Sequence, residues 1–199
     1  MALTRAMTAP APVAEESRRA AAMAQRLCAA LTAPEGDAGL NDFLALGRAA
    51  LESLGGELAR AGSAGEDWIL VSRAFCRAGE QLALAAGDMG HWGVGPERFI
   101  LRLAKLLAET LADASEALAS SGPAVQARLA EAKARSLELQ AVFRRARGEA
   151  LESPAVVEGL KLREVFRRLS EAGAAADKAV EALAWIFAEG GRGEGGRAH

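Results

Sequence analysis

Two pairs of carboxylates have a spacing that could bind a metal ion. Asp113 follows Glu109 by four residues, and Glu181 follows Asp177 by four residues. Residues four apart share one face of a helix, and two carboxylates on one face can bind a hard cation such as Mg²⁺. Glu109 and Asp113 lie off the apolar stripe of their helix and near other charges, which favours a solvated outer helix face for them. Asp177 and Glu181 flank Lys178 and border the apolar stripe of the last predicted helix. We predict no bound metal and treat these four residues as the candidate ligands.

Other catalytic chemistry lacks the residue types that it needs. Histidine occurs only at His91 and His199, and the two cysteines, Cys28 and Cys76, form no C-x-x-C pair. A histidine-based metal site and a Ser-His-Asp arrangement are therefore not expected. No glycine-rich phosphate loop follows a predicted strand. We predict a non-enzymatic protein that uses no cofactor and keeps its cysteines as buried, reduced thiols.

Arginines cluster around the turn between the last two predicted helices. They are Arg144, Arg145, Arg147, Arg163, Arg167 and Arg168. One interpretation is ordinary helix-surface charge, partnered by the nearby acids Glu149, Glu152, Glu158 and Glu164. The other is a surface that docks onto an acidic partner or onto an anionic membrane face. Trp92, in a glycine-rich stretch, is either a surface anchor or part of a small satellite core. The interaction candidates are Arg144, Arg145, Arg163, Arg167, Arg168 and Trp92.

Composition indicates closely packed helices. Half of the 199 residues are hydrophobic, many of them alanine, and tyrosine is absent. Alanine is the best helix former and the smallest core residue. The net charge of −2 argues against a broad basic field, so we expect no nucleic-acid partner. No long uncharged apolar run or export signal is present, and we expect a cytoplasmic protein.

Glycine, proline and serine clusters separate six predicted helices, with the longest break at 87–95. The helices cover about 13–31, 40–61, 63–86, 96–118, 123–150 and 154–187. We predict an all-α fold of two three-helix bundles in series. In this division 1–12 is a flexible lead-in, 13–88 the first bundle, 89–95 a glycine-rich connection, 96–188 the second bundle and 189–199 a disordered tail.

The last predicted helix has an apolar stripe that runs for about seven turns. Its members are Leu162, Phe166, Leu169, Gly173, Ala176, Val180, Leu183 and Phe187. Such a stripe must be covered by other helices. The small residues Gly173 and Ala176 predict that one neighbour approaches closely.

The stretch around this helix resembles the PhoU-like family, in particular the branch encoded with Pit-type phosphate permeases. The matching residues are Glu152-Ser153-Pro154, then the run from Leu160 to Leu169, and Glu66-Asp67-Trp68. The resemblance implies two three-helix bundles and a regulatory or accessory role in phosphate transport by protein–protein contact. The implied partner is a phosphate permease or another regulatory protein, with at most peripheral contact at the inner membrane. A homodimer is compatible with it.

The sequence departs from this family at its metal-binding acids. Ala174 and Lys178 stand where the last helix of the family carries acids, and Arg135 follows Glu131 in the preceding helix. Metal binding is therefore not carried over. An alternative function is that of a phasin-type surface-coat protein, because Asp42 to Leu58 loosely resembles the amphipathic helices of such proteins.

Overall fold

The computed structural model describes residues 9, 11–32, 66–152 and 155–192, and these residues form an all-helical bundle. The helices are α1 (Ala11–Thr32), α2 (Glu66–Trp92), α3 (Arg98–Ala119), α4 (Pro123–Leu151) and α5 (Val156–Arg192). No strand occurs in the described residues, so the predicted all-α class is confirmed. The predicted helix at 40–61 and the phasin-like segment lie outside them.

One hydrophobic core joins the described helices. α2 packs most extensively along α5, α3 packs between α1 and α4, and α4 also contacts α5. The largest fully buried side chains include Phe75 of α2, Leu107 of α3 and Phe166 of α5. Helices on both sides of the glycine-rich connection therefore share this core. The division into two three-helix bundles also depends on residues 40–61 and stays a prediction.

The apolar stripe of the last predicted helix is buried as expected. Phe166, Leu169, Val180 and Leu183 are each at most 2% exposed. The ring of Phe166 meets that of Phe99 edge-on, with the two centroids 6.4 Å apart. Edge-on contact is favoured by the aromatic quadrupoles, so this ring pair stabilises the packing of α3 on α5 beyond the effect of the apolar area that it buries.

Three helix boundaries differ from the prediction. α2 continues through 87–90 to Trp92, so His91 lies in its last turn and not in a break. Met89 is buried, and this packing offsets the low helix propensity of the glycines beside it. α3 begins at Arg98 rather than at Pro96, after the N-cap residue Glu97. α5 runs to Arg192, past the point at which a disordered tail was predicted.

No helix among the described residues is both long enough and apolar enough to cross a lipid bilayer.

Candidate functional site

The acidic pair on α5 is held by one lysine of α4. Lys133 Nζ donates to Asp177 Oδ1 at 2.8 Å and to Glu181 Oε1 at 2.7 Å. Burial alone would lower the pKa of Lys133, but the two carboxylates outweigh it and raise that pKa. The ammonium group of Lys133 therefore lies between the two carboxylates and joins α4 to α5.

The acidic pair on α3 faces α4 as well. Arg135 bonds Asp113 and lies 3.4 Å from Glu109, and Arg128 lies 3.4 Å from Asp113. The side chain of Asp113 is only 8% exposed, and its burial raises its pKa although the nearby arginines oppose that rise. Both candidate metal pairs thus meet basic side chains of α4, which lies between α3 and α5.

Within the described residues, no three His, Cys, Asp or Glu side chains come together as a metal site would require. The acidic pairs instead act as ends of interhelical ion pairs. That the protein binds no metal remains a prediction.

The predicted arginine zone divides into two groups. Arg167 bonds Glu164 and Glu171 on its own helix. Arg168 Nε donates to Asp88 Oδ2 of α2 at 3.2 Å, with both side chains 23% exposed. These two arginines are partnered by acids, and Arg168 links α5 to α2.

The second arginine group has no such partners. Arg144, Arg145, Arg147 and Arg163 are exposed, and none lies within 4.0 Å of a carboxylate in the described part of the chain. Arg147 of α4 and Arg163 of α5 line one open groove of about 360 Å³. Its apolar lining comes from Phe143, Leu160 and Phe166. We call it the α4–α5 groove.

Trp92 is the last residue of α2, four residues after Asp88. It is half-buried, packs against the hydrophobic core and meets the His91 ring at a centroid distance of 6.4 Å. It therefore packs against the main core at the end of α2, and its role as a surface anchor or as part of a satellite core stays a prediction.

A larger groove, the α2–α5 groove, has a volume of about 630 Å³. Its apolar lining consists of Leu70, Ala74, Ala174, Ala175 and Ala182, and its basic lining of Arg73, Arg77 and Lys178. Arg77 is paired with Glu80 at 2.7 Å and lies 3.8 Å from Glu171. No described carboxylate lies within 4.0 Å of Arg73 or Lys178.

Two large apolar side chains are exposed in this region: Leu70 in the lining of the α2–α5 groove, and Trp185 three residues after the lining residue Ala182. Leu70 is 55% exposed, and Trp185 is 57% exposed on the α5 face that also carries Ala182. Leu70 was not among the predicted site residues. The sequence of α5 does contain a pattern that indicates this face. Ala174, Lys178 and Ala182 recur every four residues, and Trp185 continues the same face.

No family model matches this chain, and no curated protein matches it either. The functional interpretation therefore depends on the surfaces. These are the α2–α5 groove and the end of the bundle where the unpaired arginines lie.

Proposed function

We propose that this protein is a non-enzymatic accessory protein that acts by binding another protein in the α2–α5 groove. The observation that supports it is the combination of an apolar floor with two exposed cations, Arg73 and Lys178, that lack carboxylate partners in the described residues. Apolar anchors with a charged rim are typical of protein interfaces.

The chemistry of the groove favours an acidic amphipathic helix as the bound segment. Ala74, Ala174 and Ala182 leave the floor shallow, so a third helix could approach α2 and α5 closely. Leu70 and Trp185 would contact its apolar face, and tryptophan often dominates interface energetics. Arg73 and Lys178 would meet its acidic residues, which favours acidic partners over basic ones.

The resemblance to PhoU-like proteins supports a particular partner, a phosphate permease, bound at its cytoplasmic side. The protein would then regulate or accompany phosphate transport through contact alone. Ala174 and Lys178, the positions where the family carries acids, both line the groove. In this chain those positions therefore suit contact with a partner better than metal binding.

Co-purification with the tagged permease as bait tests this proposal. We expect recovery of the wild-type protein and a loss of about tenfold or more for Arg73→Glu/Lys178→Glu, because each reversal places an acid against an acidic segment. Arg144→Glu/Arg145→Glu is the matched control, since it reverses two exposed cations of α4, and it should be recovered as the wild type is.

Two results would count against the proposal. One is no recovery with the permease together with unchanged phosphate uptake after gene deletion. The other is a large drop in the thermal midpoint of the groove variant, because residues 33–65 of the same chain, rather than a partner, would then occupy the groove.

A further inference from the structure

Four aliphatic side chains are exposed where α4 ends and α5 begins. Leu151 is 59% exposed, Val156 70%, Val157 65% and Leu160 55%. We call this set the apolar tip. Large aliphatic residues gathered at one end of a bundle usually mark an interaction site. Each can lose contact with water only by contact with something outside the described chain.

Arginines that have no carboxylate partner among the described residues lie behind the apolar tip on both helices. On α4, Arg147 precedes Leu151 by four residues, which is about 6 Å along the axis. On α5, Arg163 follows Val156 by seven residues, which is about 10 Å along the axis. On both helices, therefore, the apolar side chains lie nearest the end of the bundle, and the guanidinium groups lie further from that end.

The face of α5 that continues from the tip has the same order. Val156, Leu160, Arg163 and Arg167 follow one another at helical spacing on that face. Leu160 and Arg163 also line the α4–α5 groove, together with Phe143 and Arg147 of α4. Glu164 and Arg167, which are paired with each other, complete the lining, so an anionic group in this groove would meet the guanidinium groups of Arg147 and Arg163 above an apolar floor.

The charge at this end differs in sign from that of the whole chain. Residues 144–163 contain five basic and three acidic residues, a net charge of +2, against −2 for the chain and hence −4 for the remainder. Two of those acids are paired locally, Glu149 with Arg98 and Glu158 with Lys161. Among the described residues 144–152 and 155–163, Glu152 is the one exposed acid that forms no ion pair, and it lies beside the apolar tip.

We propose that this end of the bundle binds the surface of an anionic lipid bilayer. The apolar tip enters the boundary between headgroups and acyl chains, and Arg147 and Arg163 bind lipid phosphates in the α4–α5 groove. The axial separation of about 6 to 10 Å matches the depth to which apolar residues of surface-bound helices are buried.

A membrane fits these observations better than an acidic protein surface does. Leu151, Val156 and Val157 lie outside the α4–α5 groove, and arginines stand behind them on both helices. A fluid bilayer accommodates such an end without a shaped partner, whereas a protein would need a matching cavity. This proposal is independent of the α2–α5 groove.

Co-sedimentation of the full chain with vesicles tests it. Phosphatidylcholine vesicles containing about 30% phosphatidylglycerol should bind the protein, and pure phosphatidylcholine vesicles should bind it far more weakly. Arg147→Gln/Arg163→Gln should weaken binding by about fivefold for each arginine removed. Leu151→Ser/Val156→Ser/Val157→Ser should weaken it by at least tenfold, because the inserted apolar area is lost.

Two variants serve as controls for folding and for location. Leu137→Ser changes a leucine of α4 that is 56% exposed outside the tip, and it should bind vesicles as the wild type does. Arg73→Gln/Lys178→Gln removes two cations of the α2–α5 groove and should leave vesicle binding unchanged. That variant separates failure of this proposal from failure of the proposed function.

The lipid proposal is overturned if wild-type protein does not bind anionic vesicles, or if all variants bind them equally. Loss of partner-protein recovery in Arg147→Gln/Arg163→Gln, without any vesicle binding by the wild type, would also overturn it and assign the surface to an acidic protein.

Discussion

Gly173 of α5 lies directly against the side chain of Leu139 of α4. A Cβ atom at position 173 would be 2.5 Å from Leu139 Cδ2 and 3.5 Å from its Cγ. Leu139 is only 3% exposed, so it has little room to move. The close approach that the small residues of the last helix predicted is thus made by α4.

Gly173→Ala should lower the free energy of unfolding by about 1 kcal/mol. Overpacking costs roughly 1–3 kcal/mol, and the higher helix propensity of alanine offsets about 1 kcal/mol of that. Denaturant unfolding followed by circular dichroism measures the change.

Repeating Gly173→Ala in a second variant shows whether the contact with Leu139 causes this loss. In Leu139→Ala, where the obstructing atoms are gone, Gly173→Ala should stabilise by about 1 kcal/mol instead. Gly148→Ala is a control in α4, because a Cβ atom there would meet nothing within 4 Å, and it should also stabilise. Equal effects at position 173 in both backgrounds would contradict the described contact.

Lys133→Met should destabilise the protein by about 1 kcal/mol, because Asp177 and Glu181 would then face each other across one helical turn without a cation. Thermal unfolding at neutral pH measures this. Lys178→Met, on an exposed lysine of α5 that has no ion pair in the described residues, should shift stability by less than about 0.5 kcal/mol. Similar losses in the two variants would show that Lys133 does not join α4 to α5.

Arg168→Met should lower the free energy of unfolding by about 1 kcal/mol, since Asp88 would lose its partner at a site that is only 23% exposed. Arg144→Met should have an effect within about 0.5 kcal/mol, because Arg144 is exposed and makes no ion pair in the described chain. Chemical denaturation of both variants compares the two arginine groups. A larger loss of stability for Arg144→Met than for Arg168→Met would contradict the assignment of a structural role to Arg168 and not to Arg144.

The pH dependence of stability should contain a contribution from Asp113. Its folded-state pKa is raised above the ordinary value of 3.8 by burial, against the opposing effect of Arg135. The folded state therefore binds this proton more tightly than the unfolded state does. As pH rises from 3.8 through the folded-state pKa, the contribution of Asp113 to the free energy of unfolding must fall.

Asp113→Asn should remove that fall and cost less than about 1 kcal/mol at neutral pH, because it eliminates a buried charge. Unfolding measured between pH 4 and pH 7 tests this, with Glu138, an exposed acid of α4 that pairs with Arg102 instead, changed to Gln as control. A loss of several kcal/mol at neutral pH, with the pH dependence unchanged, would contradict it.

The sequence predicted the parts of the fold that follow from periodicity. The stripe of α5 is regular over many turns, and its burial follows from that regularity alone. Helix ends were less well predicted, since Gly87 and Gly90 are poor helix formers whose cost is offset by tertiary packing around Met89.

The ion pairs at the candidate sites could not be predicted from the sequence, because their partners are distant from each other along the chain. Arg163 and Arg168 look equivalent in sequence, but only Arg168 meets Asp88, from another helix. Lys133 lies 44 residues from Asp177, so nothing local indicated their contact. The α2–α5 groove is lined largely by alanines, whose role depends on the neighbouring helix.

The most direct test of the proposed function is photo-crosslinking from the α2–α5 groove in cells that express the tagged permease. A photoreactive amino acid replaces Leu70 in one variant and, as matched control, Leu137 of α4, since the two are 55% and 56% exposed. We predict an adduct from position 70 to an acidic helical segment of the permease, identified from the crosslinked peptide. The adduct should be absent from position 137 and lost with Lys178→Glu. The proposal would be contradicted by any of three results: no permease adduct from position 70, equal adducts from both positions, or an adduct to residues 33–65 of the same chain.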